Sequence, residues 1–389
     1  MKKLVGLSLA AALFAASTAP AIAADVELSG EVRVRHEIMD NYDYNDNVGD
    51  SANATTQRTR INFKASVDDR TTAFISLQDT RTHGEEASTA DTAAENQGID
   101  LSQGYLLIDD LIPSTDLLIG RFPLAYGNQR YVGAFEWSDN ARRFDGLAFL
   151  YGSELVDIHL ALTQVGIGGA GVEDTHVNAL ETMWKTLIPK NQLDAYLIQI
   201  TGAGGMEIQT LGLRLDGKAA GADWTAEYIQ EGGDAATGID QDATALAITG
   251  GYTIPGPKIR IGAEFTSGSG DDATTTDNEA FTGGLPTNKF HYGLSGRGGA
   301  WSNRDNISLN VTAKPADGMK VRAEYWDYTV NEVAAGASDD VGSEINLQFW
   351  YSLTEKTKLH AHIAQFAPGE ALVGAAGPDD AATLISLQL

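Results

Sequence analysis

Apolar and polar residues alternate one by one along most of this chain, and that period restricts it to β-structure. From Asp25 to Ile38, Val26, Leu28, Gly30, Val32, Val34 and Ile38 fall on one face, while Glu27, Ser29, Glu31, Arg33, Arg35 and Glu37 fall on the other. A helix would repeat every 3.6 residues, whereas a strand repeats every two. Residues 58–67 do the same, with Ile61, Phe63, Ala65 and Val67 against Arg58, Arg60, Asn62 and Lys64. Similar stretches run through 246–254, 259–266, 306–313, 319–325, 344–351 and 359–366.

The connections alternate in length. Short ones carry turn residues, as in Pro255-Gly256-Pro257-Lys258 and Pro315-Ala316-Asp317-Gly318, where Gly supplies positive φ and Pro pre-sets φ. Long ones are polar and acidic. Strand, tight turn, strand, long loop is the rhythm of a transmembrane antiparallel β-barrel with short periplasmic turns and long extracellular loops. Spans of 26–38, 57–67, 71–81, 101–111, 116–124, 143–151, 155–163, 178–187, 193–200, 207–216, 222–230, 243–254, 258–266, 305–314, 319–327, 343–352, 357–366 and 381–389 make eighteen strands. Alternation is poor in 155–163 and 193–200, so sixteen stays open. An even count returns both ends to the periplasmic side. Tyr252, Tyr325, Trp326 and Tyr351 near strand ends read as an interfacial girdle. The last segment, 383–389, supplies the strand that closes onto the first.

Residues 1–23 read as a secretory signal peptide: Lys2 and Lys3, an apolar stretch from Leu4 to Ala16, then Ala21-Ile22-Ala23. Residues 24–389 are then one barrel domain in the bacterial outer membrane. Cleavage takes the net charge from −26 to −28. The absence of cysteine excludes disulfides, thiolate metal sites and Cys nucleophiles. The acidic balance excludes nucleic acid as a partner, since that binding depends on neutralising phosphates.

Loops 39–54, 82–100, 231–243, 267–281, 327–343 and 367–380 hold 24 acidic residues and no Lys or Arg. Such loops can meet outer-membrane lipid and lipopolysaccharide through divalent cations. Asp43 to Asp50 falls short of a calcium loop, because Gly49 is one place late and Ala54 sits where the closing Glu belongs. The bases lie on the polar face of strands. Alternation points Arg33, Arg35, Arg58, Arg60, Lys64, Arg121, Arg214, Arg260, Lys320, Arg322 and Lys358 inward, beside fewer acids such as Glu31. Cross-strand ion pairing accounts for many of them. Five bases on two neighbouring strands also form the kind of lining by which a pore favours anions.

Residues 116–151 contain, in order, Gly120-Arg121, Tyr126-Gly127-Asn128-Gln129-Arg130, Glu136-Trp137 and Arg142-Arg143-Phe144-Asp145-Gly146. Together with 285–293 and Phe366-Ala367-Pro368-Gly369, this resembles the alginate-export family of outer-membrane porins. The resemblance implies an eighteen-stranded barrel with an arginine-rich lumen that passes anionic polysaccharide. It nominates Arg121, Arg130, Arg142 and Arg143 for the constriction, with Glu136 and Asp145 as partners.

The expectation is therefore a passive channel for small or polymeric anionic solutes, with no cofactor. The alternative is a structural or plugged barrel, or an adhesin, without a conducting pore. An embedded enzyme is the third class. His360 and His362 share an inward face and could hold a metal with a carboxylate, but no third ligand is apparent. A serine hydrolase would need Ser and His adjacent on the lipid face, and the clean strands turn His inward.

Overall fold

A computed structural model describes residues 25–47, 49–84, 98–166, 174–272, 274–287, 289–375 and 377–389. The expected signal peptide at 1–23 and most of the acidic loop 82–100 lie outside the described residues. The first strands are β1 (Val26–Asp40), β2 (Ala52–Ser66), β3 (Thr71–Thr82), β4 (Asp100–Ile112), β5 (Thr115–Phe122) and β6 (Phe144–Gly152). Next come β7 (Val156–Gly166), β8 (Thr175–Trp184), β9 (Asn191–Gly202), β10 (Met206–Ala219), β11 (Ala222–Ala236), β12 (Ile239–Asp240) and β13 (Ala243–Ile254). The chain finishes with β14 (Ile259–Gly268), β15 (Arg304–Ala313), β16 (Met319–Val330), β17 (Asp340–Ser352), β18 (Lys358–Pro368) and β19 (Ala382–Gln388).

Every neighbouring pair is antiparallel, and β12 is a two-residue extension of the β11–β13 hairpin. Eighteen strands therefore form the wall, which settles the count left open between sixteen and eighteen. Closure is made by β1 on β19, with Arg35 opposite Gln388 through Asp40 opposite Thr383. No helix among the described residues is long and apolar enough to cross a membrane; the chain crosses with strands.

Alternation sets which face meets lipid. Val32 is 64% exposed on the outside of β1, while its neighbour Arg33 is 6% exposed inside. Leu28, Ile61, Leu197, Ile261, Leu309 and Ile345 continue the outward apolar band. An apolar surface of this extent on a closed wall is tolerated because lipid covers it. Hairpin chemistry holds the register at the short-turn end. Ala220 and Gly221 both take positive φ, as a two-residue turn that matches the strands' twist requires.

Some expectations change, among them the following. β8 starts and stops three residues before the expected 178–187, since the wide turn around Pro189 begins at Lys185. Trp326 belongs to no girdle: it faces inward, fully buried, and stacks on Tyr328 at 6.0 Å. Glu231, assigned to an acidic loop, lies within β11 and is wholly buried on the inner face. The inner face of β5–β13 carries Phe122, Phe144, Val177, Ile198, Ile200 and Ile229, which pack against residues of the 123–143 and 269–303 loops. One half of the lumen is thus filled by apolar side chains interspersed with buried polar groups such as Glu181, Asp194, Glu227 and Glu231, and two inward-folded loops complete the packing.

Candidate functional site

The loop 123–143, between β5 and β6, runs across the lumen and is anchored at both sides. On the β1–β2 wall, alternation brings Arg33, Arg35, Arg58 and Arg60 side by side, with Arg33 directly opposite Arg58. Four like charges so close need acceptors, and the loop supplies them. Arg33 donates to the Glu136 and Ser138 carbonyls at 2.9 and 3.3 Å and pairs with Asp139. Arg35 donates to the Trp137 carbonyl at 2.6 Å and to both Asp139 oxygens at 3.0 Å, with Glu37 at 3.1 Å from its Nε. Arg58 grips Glu31 at 2.7 Å and the same two carbonyls, at 3.0 and 3.1 Å. Arg60 holds Gln78 and the Glu136 carboxylate, both at 2.7 Å. Arg143 reaches the other Glu136 oxygen at 2.7 Å.

The far side of the loop is anchored on β10, β11 and β14. The Tyr131 hydroxyl lies 2.6 Å from Thr210 Oγ1 and donates to Glu231 at 2.9 Å. Arg130 is buried between the rings of Tyr292 and Trp301 and pairs with Glu264 at 2.6 Å. The second inward loop, 269–303, lies alongside. Val132 and Leu285 form a parallel bridge, with Gly133 N bonded to the Leu285 carbonyl at 2.9 Å and Thr287 N to Gln129 at 2.9 Å. Only glycine fits at 133, since a Cβ there would stand 2.4 Å from Thr287 Oγ1. Arg142 caps the joint by donating to the carbonyls of Gly133, Leu285 and Pro286. The two loops make a crossbar.

At the basic wall, five arginines (33, 35, 58, 60 and 143) meet four carboxylates, Glu31, Glu37, Glu136 and Asp139, while Arg142, at the joint of the two loops, donates only to carbonyls. Burial pushes the Glu136 carboxyl up, but Arg143 and Arg60 outweigh it and hold that group below the usual range. Burial lowers the Lys289 amine to about 8. Beneath the crossbar a cavity of about 570 Å³ opens, with Arg33, Arg58, Glu136, Trp137, Lys356 and Lys358 in its lining.

The remaining sequence candidates divide. Arg260 is inward and pairs with Asp223 at 2.5 Å, and Arg322 pairs with Glu324 on its own strand at 2.7 Å. Lys64 is exposed near the short-turn end, opposite Glu27. Arg121 and Asp145 correct the expectation: they form a bidentate pair at 2.8 Å on the outer face. Their side is that of Ile119, 43% exposed, while Phe122 next door is 1% exposed inside. Leu117, Leu118 and Ile119 are apolar at both parities, so β5 offers no alternation to read. Asp139, Tyr131, Lys289 and Phe290 escaped notice. Asp139 had a signal, as the next acid after Glu136 in a base-containing loop, and Lys289 and Phe290 fall within the 285–293 segment that carries the resemblance. His360 and His362 are inward as expected, whereas His36 shares the outer face of β1 with Val32; among the described residues no carboxylate joins His360 and His362 in a metal-spaced cluster. The only three-group cluster with metal-ligand spacing among the described residues is Asp271, Asp272 and Glu279.

An eighteen-stranded antiparallel barrel with a lipid-facing apolar wall and a loop-constricted polar lumen is a bacterial outer-membrane channel for passive solute transport. The family model for alginate export matches residues 25–384, and the chain belongs to that family. No curated protein matches. Among solved structures the fold resembles Pseudomonas aeruginosa OccK9 (OpdG), with TM-score 0.66 and 12% identity over 94% of this chain and 98% of that one. It also resembles Acinetobacter baumannii OccAB4, with TM-score 0.65 and 13% identity over 93% and 97%. Pseudomonas aeruginosa OpdO gives TM-score 0.65 and 14% identity over 94% and 96%. At these identities the likeness concerns the fold. Family and fold are those of transport porins, and the short turns accordingly face the periplasm.

Proposed function

We propose that the channel prefers anionic solutes and that an acidic polysaccharide such as alginate is the polymer it suits. The observation that carries this reading is the excess of arginine over carboxylate where the crossbar meets β1 and β2, above a cavity that also presents Lys356 and Lys358. In a low-dielectric wall such an excess raises the local anion concentration. The paired carboxylates keep each site weak enough to release its solute. Arg33, Arg35, Arg58, Arg60, Arg142 and Arg143 carry this preference, with Glu31 and Glu136 moderating it. Arg130 is an anchor rather than a lining group, because it sits between the rings of Tyr292 and Trp301, paired with Glu264, away from the cavity that Arg33 and Arg58 line.

Two further readings belong with this one. Residues 1–23 are an export signal, leaving one barrel domain at 24–389. The acidic loops face lipopolysaccharide phosphates through divalent cations. The test of selectivity is the reversal potential in planar bilayers under a KCl gradient. Replacing Arg58, Arg60 and Arg142 by glutamine should move it toward cation preference. An unchanged reversal potential would refute the anion reading.

A further inference from the structure

On the wall opposite the packed half-lumen, the inner faces of β17, β18 and β19 carry a polar grid. Gln348 stands opposite His362, which stands opposite Ser386. One row nearer the periplasm, Trp350 stands opposite His360. All four polar side chains are nine-tenths or more buried. Yet His362 Nδ1 and Nε2, His360 Nε2, Gln348 Oε1 and Ser386 Oγ have no protein hydrogen-bond partner. Gln348 uses only its amide nitrogen, donating to Glu324 at 2.6 Å. Buried polar atoms in folded proteins are nearly always bonded, so five together on one patch require a reason.

What covers the patch is aromatic. The Trp137 ring, from the tip of the crossbar, lies 5.5 Å from His362 and 6.0 Å from His360. Phe290 meets Trp137 edge-on at 5.1 Å and lies 5.8 Å from His360. Neither ring supplies an acceptor, and the indole N–H is a single donor. Two cations flank the cover, Arg35 at 4.6 Å and Lys289 at 5.3 Å from the Trp137 ring. Trp350 stacks on His360 at 4.7 Å, and Lys320 Nζ lies over the Trp350 ring at 3.4 Å from its centroid. Trp137 and Phe290 also line the cavity below the crossbar, so a solute there reaches the edge of the cover.

Flat rings, a row of neutral donors and acceptors and flanking cations are together the complement of a sugar acid. A pyranose offers an apolar face to an aromatic ring, hydroxyls to imidazole, amide and hydroxyl groups, and a carboxylate to Arg or Lys. We infer that Gln348, His360, His362 and Ser386, with Trp350, form a carbohydrate subsite of the channel. In this state Trp137 and Phe290 occupy it, and a uronic acid unit replaces them. The subsite places the conduit off-centre, along β17–β19, because β5–β13 are packed against the loops. Displacing the aromatic cover exchanges unsatisfied imidazole and amide atoms for hydroxyl partners, so the polymer itself favours the open arrangement.

The inference rests on the anionic-solute reading only for the charge of its ligand. The test is blockade of single channels of the full-length protein by a hexauronate and by a neutral glucohexaose, in wild type and in Gln348→Leu/His362→Leu. Both oligosaccharides should block wild type, and the double variant should shorten each blockade at least tenfold. Trp137→Ala should raise the rate of blockade, since the cover no longer has to leave. Blockades of unchanged duration in the double variant, in channels that insert and conduct normally, would overturn the subsite. Wild type lacking anion preference in KCl alone would instead overturn the charge reading, and glucohexaose blockade would still decide the subsite.

Discussion

Asp139→Asn removes the one carboxylate by which the crossbar holds Arg33 and Arg35 together. Both guanidiniums are enclosed, their side chains 7% and 6% exposed, while Asp139 retains 21%. Breaking a buried ion pair by deleting one partner costs roughly 3–5 kcal/mol. Here the loss is smaller. Arg35 keeps Glu37 at 3.1 Å, and both arginines keep the loop carbonyls. Asparagine also retains an acceptor, so about 2 kcal/mol of loop docking is expected to go, a shift of roughly 30-fold between docked and undocked forms. Single-channel recording should then show a wider conductance state visited about that much more often, and limited proteolysis should cut within 135–142 faster. Adding Arg33→Gln should cost less than the sum of the single changes, because the two groups share one interaction. If conductance states and cleavage rates both match wild type, the loop is held by its backbone alone and the ionic anchoring argument is wrong.

Lys289, with its amine lowered to about 8 by burial, should lose its charge between pH 7 and 9.5. Anion preference should decline over that range in wild type and stay flat in Lys289→Met, by reversal potential. Because the lowered amine binds fewer protons in the docked loop, docking should strengthen as pH rises from about 8 to the ordinary value of 10.5, and below that window it should stay constant at its weakest, since the amine is then protonated in both forms. Val32→Arg puts a charge on the outer face and should cost about 2–4 kcal/mol if that site meets mid-bilayer lipid. Gel mobility before and after heating measures the folded fraction, and normal assembly would contradict the facing of β1. Arg121→Gln should leave the reversal potential unchanged, and a shift toward cations would contradict its outward placement.

Much of the barrel was legible because a strand's two faces are written locally. Val32 against Arg33 needs no knowledge of distant residues, and the short turns mark where each hairpin closes. The same rule failed on β5, where Leu117, Leu118 and Ile119 read alike on both faces, and it sent Arg121 the wrong way. Trp326 was misread for a related reason. A large aromatic near a strand end suits a girdle or an inner stack equally, and only Tyr328 and Phe366 beside it decide which. The arginines were placed correctly on the inner face of β1 and β2, but their acceptors lay about a hundred residues away.

Period-two patterning, turn residues and a closing last strand were enough to determine a closed antiparallel barrel with an apolar outside and a basic inner wall. They act between neighbours in sequence, so they survive without tertiary information. The tertiary structure decided what that inner wall faces. Loops 123–143 and 269–303 fold inward, bond to each other from Gln129 to Thr287 and bury half of the lumen. Arginines that alternation would leave open to solvent become anchors for backbone carbonyls, and His360 and His362 end up beneath Trp137. No local pattern specifies such contacts, because their free energy comes from desolvating and pairing groups that only the closed barrel brings together.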